Sequence, residues 1–91
     1  MIQILIPTAL QSCTAHQSIV LVEGKTVSEC LQQLVQQYHR LRAYIYNDQG
    51  DLSSYCNTYL NNQDVRYLPN RLETQVVAGD KIEIIPSMAG G

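Results

Sequence analysis

The sequence predicts an α+β fold in which a mixed sheet packs on one main helix, and three stretches indicate it. Apolar residues alternate along residues 2–6, which is typical of a strand with one buried face. Residues 26–40 place apolar residues at helical spacing, and residues 81–85 alternate again. The strands at both ends of the chain and the helix between them each have one apolar face. They can bury these faces together when the strands form a sheet and the helix covers one side of it.

The N-terminal segment predicts a hairpin of two strands. Ile2, Ile4 and Ile6 share one face of the first strand, and Pro7 ends it. Residues 8–18 are mostly small and polar, which favours a loop. The continuous apolar run at residues 19–22 then predicts a second strand, antiparallel to the first.

The main helix is predicted from a capping box followed by an apolar stripe. Thr26 is the expected N-cap, and Glu29 stands at the third helical position. The predicted buried face consists of Val27, Cys30, Leu31, Leu34, Val35 and Tyr38. His39 and Arg40 follow where a helix C-terminus favours positive charge.

In the middle of the chain the pattern returns to period two. We expect residues 44–46 to form a strand, residues 47–51 a turn and residues 52–60 the returning strand. Cys56, Thr58 and Leu60 are predicted to face inward, which leaves Tyr55 and Tyr59 on the outer face. These two tyrosines are either a contact surface for a partner or a cross-strand packing pair.

The last third predicts turns that lead into a final strand. Residues 61–64 are expected to form a turn, residues 65–68 a short extended piece and residues 74–77 a weak strand. In the strand at residues 81–85, Ile82 and Ile84 should face the core.

Ile85 should then be partly exposed on the opposite face, beside the C-terminal segment. The order of elements is that of a β-grasp fold, with residues 1–91 as a single domain. Its helix-free face would present apolar residues to a partner protein.

Composition and charge exclude several classes of protein. The formal net charge is -2 and the basic residues are scattered, so no nucleic-acid partner is expected. No apolar run approaches the ~20 residues of a membrane span, and Met1 leads directly into the first strand, so we expect a cytoplasmic protein without membrane association.

Neither a metal site nor a catalytic centre is expected. Cys13, Cys30 and Cys56 are separated by wide gaps, which supports neither disulfides nor zinc or iron–sulfur ligation. His16 and His39 lack partners at ligand spacing, so we expect them to face solvent. No pair of nucleophile and base is evident, which argues against an enzyme.

The C-terminal segment is the most informative part of the chain. Pro86 cannot donate a ladder hydrogen bond, so we expect pairing to end there and residues 87–91 to form a flexible tail. The final Gly90 and Gly91 present a carboxylate with little steric bulk around it. Such a carboxylate is suited to activation as an acyl-phosphate or acyl-adenylate. Small residues also collect at disordered termini, so the diglycine alone leaves both interpretations open.

The body of the chain adds a family resemblance. Residues 77–86, followed by Ser87-Met88-Ala89-Gly90-Gly91, resemble the C-terminal signature of the ubiquitin-like sulfur carriers of the ThiS/MoaD family. Residues 57–61 and 64–68 are most similar to the branch that supplies sulfur for cysteine biosynthesis. Met88 departs from the Val or Thr frequent at its position.

This resemblance implies a carrier that is not itself a catalyst and binds no cofactor. An adenylyltransferase of the ubiquitin-activating-like class would use ATP and magnesium to adenylate Gly91, and a sulfur donor would convert the adenylate to a thiocarboxylate. Gly90 would give a narrow approach, and Ser87, Met88 and Ala89 would line the partner's channel. The acceptor would be a biosynthetic enzyme, either cysteine synthase-like or the large subunit of molybdopterin synthase.

Three alternatives stay open at this point. The chain could be the small subunit of molybdopterin synthase or a carrier for thiazole formation. It could also be a ubiquitin-like modifier that forms isopeptide bonds through the same activated glycine. A non-covalent binding module would use the outer face, including Ile85, Tyr59 and Tyr55, without needing a free C-terminus.

Overall fold

The computed structural model describes residues 1–87, and within them a mixed sheet of five strands packs against the main helix. The strands lie in the order β2-β1-β5-β3-β4. The elements are β1 (Ile2–Leu5), β2 (Ile19–Val22), α1 (Val27–Gln37), α2 (Arg42–Ile45), β3 (Cys56–Leu60), β4 (Gln63–Asp64) and β5 (Lys81–Pro86).

Strand pairing confirms the predicted β-grasp arrangement. Ile4 lies opposite Val20 in an antiparallel pair and beside Ile82 in a parallel pair, so β1 is paired on both sides. On the other side of β5, Ile84 lies opposite Thr58 of the antiparallel β3. The first and last strands of the chain are therefore neighbours at the centre of the sheet.

The core lies between one face of the sheet and α1. The alternation in β1 and β5 places Ile2, Ile4, Ile82 and Ile84 on this face. The helix α1 contributes the predicted stripe except for Tyr38, which is the C-cap residue and is only half-buried. The largest fully buried side chains are Ile4, Leu31, Leu34, Leu41, Ile82 and Ile84. Cys56, Thr58 and Leu60 of β3 also point inward, as predicted.

The capping box at the start of α1 forms with a shift of one residue. The Oγ1 of Thr26 accepts a hydrogen bond of 3.2 Å from the N–H of Glu29. The Oε1 of Glu29 accepts in return from the N–H of Lys25, at 2.8 Å, rather than from that of Thr26. The first bond satisfies a donor of the first helical turn that has no partner within the helix, and the second satisfies the donor of the residue before the N-cap.

The predicted strand at residues 44–46 is wrong. Arg42–Ile45 is a short helix, and only Tyr46 pairs, in an isolated bridge with Leu52. Leu41 and Ile45 are both buried, whereas Tyr44 is 43% exposed. Ala43, which lies between Leu41 and Ile45, is exposed. A helical turn places Leu41 and Ile45 on one face without Ala43, whereas a strand would have placed all three on the same face.

Several shorter segments also differ from the prediction. Thr8–Thr14, expected to be a loop, is a 3-10 helix. Val65–Tyr67 is a 3-10 turn rather than an extended piece, because the carboxylate of Asp64 accepts from the N–H of Arg66 at 2.9 Å.

The other differences concern strand lengths. Gln63–Asp64 is a strand rather than part of a turn. The returning strand begins only at Cys56, and within residues 74–77 the pairing is limited to a bridge of Gln75 with Thr26.

Candidate functional site

Pro86 and Ser87 are the last residues that the structure describes, and they form the root of the C-terminal segment, residues 87–91. Pro86 lies opposite Cys56 in the ladder between β5 and β3, and the N–H of Ser87 donates to the carbonyl of Tyr55 over 2.7 Å. At Ser87 the structure therefore departs from the expectation that pairing ends at Pro86. Proline removes only its own donor, and the next residue still has an N–H to offer the neighbouring strand. The predicted roles of Met88, Ala89, Gly90 and Gly91 fall outside the described residues.

An apolar groove of about 460 Å³ opens beside this root. It forms because the sheet divides between β1 and β5. The two strands pair only as far as Leu5 and Glu83, after which Ile6 stays with β2 through a 2.8 Å bond from its N–H to the carbonyl of Ser18. Meanwhile β5 stays with β3 as far as Pro86.

The side chains around the groove are mostly apolar. Ile85 and Pro86 line one wall, Pro7 and Ile19 line the other, and Glu83 contributes a carboxyl group. The groove therefore extends from the helix-free face of the sheet to the end of β5 at Pro86.

The predicted surface residues divide between the groove and its surroundings. Ile85 lines the groove, as expected for a partly exposed residue beside the tail. Tyr59 is half-buried and lies opposite Glu83 on β3, outside the residues that line the groove. Tyr55 precedes β3 and is 69% exposed, and its backbone holds Ser87.

Sequence reasoning missed the contribution of β2 to this surface. Ile19 and Leu21 are 46% and 51% exposed on the helix-free face, while Val20 and Val22 are buried. The signal was a run of residues with no polar position on either face. In an edge strand, such a run leaves one apolar face to solvent.

Cys30 and Cys56 are buried and are poor nucleophiles. Burial raises the pKa of the Cys30 thiol, and the charge of Glu29 raises it further. Burial also raises the pKa of the Cys56 thiol. Both are therefore protonated at neutral pH, when the reactive form is the thiolate.

Residues 1–87 contain no cluster of three or more histidine, cysteine or acidic side chains that could hold a metal ion. None of the helices in this part of the chain is long and apolar enough to cross a membrane. His16 and His39 are exposed, as predicted.

Comparison with known proteins connects these features to a family. Residues 4–91 match the model of the ThiS family. The chain is 32% identical over 88 residues to the sulfur carrier protein CysO of Mycobacterium tuberculosis, with 94% of each chain covered.

Solved structures agree with this assignment. The crystal structure of the BexX/CysO complex of Amycolatopsis orientalis contains a chain that matches with a TM-score of 0.86 and 31% identity over the full length of both chains. The small archaeal modifier protein 1 of Methanosarcina acetivorans has a TM-score of 0.88 at 23% identity, covering 99% and 95% of the two chains, which shows the shared fold.

Three findings agree with one another. The chain has a β-grasp fold, its strand β5 leads to a terminal diglycine, and it is similar to the ThiS family along nearly its whole length. The chain belongs to the ThiS family and is a sulfur carrier protein of the CysO and ThiS type.

Proposed function

We propose that this protein carries sulfur as a thiocarboxylate on Gly91 and delivers it to a biosynthetic enzyme, in the pathway to cysteine. The observation that carries the proposal is the position of the groove. The strand that continues into the terminal diglycine forms one wall of an exposed apolar groove, so a partner bound there has the C-terminal carboxylate within reach.

The proposed loading reaction has two steps. A carboxylate oxygen of Gly91 attacks the α-phosphorus of ATP, pyrophosphate leaves, and an acyl-adenylate forms. Sulfide, or a donor that supplies its equivalent, then attacks the carbonyl carbon, and AMP leaves with the oxygen to which it was bonded. Magnesium and ATP belong to the activating enzyme, and the carrier contributes the carboxylate and the surface that docks it.

The length of the C-terminal segment limits where the activating enzyme can bind on the carrier. Four residues follow Ser87, and at about 3.3 to 3.6 Å per residue they span at most roughly 14 Å. An activating enzyme must therefore bind close to the root of the segment. We propose that it is an adenylyltransferase of the ubiquitin-activating-like class, docking on the groove and on the apolar face formed by Ile19 and Leu21.

The cysteine pathway is preferred because of the 32% identity with a protein described as CysO. The acceptor would then be a cysteine synthase-like enzyme that takes sulfur from Gly91. Delivery to the large subunit of molybdopterin synthase, or to thiazole formation, would use the same loaded carrier with a different acceptor.

Intact-mass spectrometry tests the proposal. The chain is incubated with an adenylyltransferase of this class, ATP, magnesium and sulfide, and we expect a mass gain equal to one oxygen replaced by sulfur. Deletion of Gly91, or extension of the chain by one residue beyond it, should abolish the gain. Unchanged mass of the intact chain under conditions in which the enzyme adenylates an established carrier would refute the proposal.

The same spectra separate competing products. A persulfide on Cys13, Cys30 or Cys56, which sulfide forms only when dissolved oxygen acts as the oxidant, would add a whole sulfur atom without loss of oxygen. Modification of a protein lysine would instead give higher-mass adducts of the chain that survive reductant and boiling. A persulfide without the thiocarboxylate would exclude Gly91 as the group that carries sulfur, and lysine adducts without the thiocarboxylate would replace sulfur carriage as the function.

A further inference from the structure

We propose that Glu83 selects the partner that docks on the helix-free face, by requiring from it an arginine or lysine side chain that pairs with the Glu83 carboxylate. This inference rests on the proposed function, because the partner concerned is the adenylyltransferase that docks on the groove and the apolar face. The proposed function names the surface, and Glu83 sets the charge that a partner must bring to its centre.

Glu83 lies in the middle of the helix-free face. It belongs to β5, the central strand, beside Leu5 of β1 and opposite Tyr59 of β3. Leu5 in turn lies opposite Ile19 of β2. Residues in register share a face of the sheet, so these four side chains form one row across it, and Ile85 lies on the same face two residues further along β5. A carboxylate therefore stands among side chains that are mostly apolar.

The carboxylate of Glu83 differs from the other carboxylates of the chain in having no partner. Of the eight acidic residues, all are exposed except Asp64, Asp80 and Glu83. The carboxylate of Asp64 pairs with Arg66 at 2.8 Å. That of Asp80 accepts a hydrogen bond of 2.9 Å from the N–H of Val77. The half-buried carboxylate of Glu83 accepts no hydrogen bond and forms no ion pair within the described part of the chain.

Lys81 is the basic residue that shares this strand face with Glu83. Both residues line a shallow depression together with Leu5. The side chain of Lys81 is nevertheless exposed and forms no ion pair with the carboxylate. In the free carrier, the accessible part of the Glu83 carboxylate is therefore solvated by water.

Docking of a partner would remove that water. Glu83 is the one charged residue among the described residues that line the groove, and the side chains beside it are mostly apolar. An apolar surface laid over an ionised carboxylate would carry a large penalty, since nothing would replace the lost hydrogen bonds. A guanidinium group donates two parallel hydrogen bonds to one carboxylate, so an arginine suits this position best. The same penalty would reject a partner that lacks a basic side chain there.

The experiment changes the charge of Glu83 alone. Glu83→Gln removes the charge and keeps the size of the side chain, and Glu83→Lys reverses the charge. Glu73→Gln and Glu73→Lys are the matched controls, because Glu73 is exposed and precedes Thr74, whose carbonyl accepts from the first residue of α1. Calorimetry measures the Kd of the adenylyltransferase for each carrier, and pyrophosphate release measures kcat and KM.

The expected effect is on binding. Glu83→Gln should raise Kd and KM at least about tenfold at unchanged kcat, and Glu83→Lys should raise them further. Both Glu73 variants should stay within about twofold of wild type.

Two further measurements distinguish charge pairing from a structural role. Binding of the wild type should weaken as ionic strength rises, and Glu83→Gln should show a smaller dependence on salt because one charge of the pair is gone. The urea midpoint of free Glu83→Gln should equal or exceed that of wild type, since the carboxylate has no partner in the described fold. A lower midpoint would show that Glu83 stabilises the fold and would overturn the inference.

The outcomes separate this inference from the proposed function. Wild-type Kd and KM in Glu83→Gln overturn the inference and leave the loading of Gly91 unaffected. If the wild type binds the enzyme but is not adenylated, the proposed function fails, and the Kd values of the variants still decide the role of Glu83. If the wild type does not bind an enzyme that binds an established carrier, both fail.

Discussion

The backbone N–H of Lys81 donates to the side-chain oxygen of Asn61 over 3.0 Å, which joins the turn after β3 to the first residue of β5. The Nδ2 of Asn61 also donates to the Oδ1 of Asp80 at 3.1 Å. Asn61 reaches these partners from a left-handed backbone conformation with φ of 49°. This turn therefore fixes the start of the strand that carries the C-terminal segment.

Replacement of Asn61 should destabilise the protein by two separable effects. Asn61→Ala loses two side-chain hydrogen bonds, at about 1 kcal/mol each. It also places alanine, whose side chain forms no hydrogen bond, in the left-handed backbone region, which costs about 1 kcal/mol more. We expect Asn61→Gly to be about 1 kcal/mol less destabilising, because glycine adopts this conformation freely. Urea denaturation measures the free energy of unfolding of both variants.

Asn62 is the matched control for Asn61. It also has a positive φ, of 73°, but its exposed side chain makes no hydrogen bond with residues 1–87. Asn62→Gly should therefore change the free energy of unfolding by less than about 0.5 kcal/mol. Equal losses in Asn61→Gly and Asn62→Gly would contradict a role for the Asn61 side chain.

Removal of the N-cap of α1 should cost stability. Thr26→Ala deletes the acceptor for the N–H of Glu29 and is expected to lower the free energy of unfolding by about 1 kcal/mol. Ser28→Ala, in the same helical turn, should have a smaller effect because the hydroxyl of Ser28 accepts only a long bond of 3.5 Å from Gln32. Thermal and urea denaturation of the two variants compare these losses directly, and a larger loss in Ser28→Ala would argue against the cap.

The ion pair of Asp64 and Arg66 should contribute stability that acid removes. The hydrogen bond from the Arg66 side chain, with a contact of 2.8 Å, holds the pKa of the Asp64 carboxyl below its ordinary value. Because the pKa is lower in the folded state, the contribution is complete above the unfolded-state pKa of about 4 and is lost as pH falls through the folded-state pKa.

Arg66→Gln tests this pH dependence. The difference in free energy of unfolding between wild type and variant should be constant from about pH 7 to 5 and should shrink below about pH 4. Arg71→Gln is the control, because Arg71 forms no ion pair within the described chain. A difference that stays constant down to the acid transition would show that the contact with Asp64 does not stabilise the fold.

A charge placed in the groove should impair activation without unfolding the protein. Ile19 lines the groove and is already 46% exposed, so the fold should tolerate the carboxylate that Ile19→Asp introduces there. Burial of that charge against a partner would lower kcat/KM for adenylation by about tenfold or more. Pyrophosphate release with the adenylyltransferase measures this rate.

Val77→Asp is the matched control for the groove. Val77 is 68% exposed and precedes β5, at the end of the strand opposite to the groove. It should leave the rate unchanged. Equal rates for Ile19→Asp and wild type would exclude the groove as the docking surface and leave the chemistry of Gly91 as a separate question.

Prediction from the sequence succeeded where one face of an element is buried along its whole length. The isoleucines of β1, the stripe of α1 and the alternation of β5 each report burial at every turn or every second residue, so periodicity reveals both the element and its orientation. At residues 44–46 the local period suggested a strand, and the structure has a helical turn instead. Leu41 and Ile45 are buried there while Ala43 between them is exposed, a pattern that depends on which side of the segment the rest of the core lies.

The sequence by itself determined the β-grasp order of elements, the inward face of each long element and the diglycine terminus, because these depend on local pattern and on chemistry at the chain end. Only the tertiary structure decided where β1 and β5 separate, that Ser87 remains bonded to Tyr55, and that Ile19 joins Ile85 in one groove. Those features depend on which of two neighbouring strands each backbone donor pairs with. The alternative partners lie far apart in the chain, so a local sequence pattern does not reveal which pairing forms.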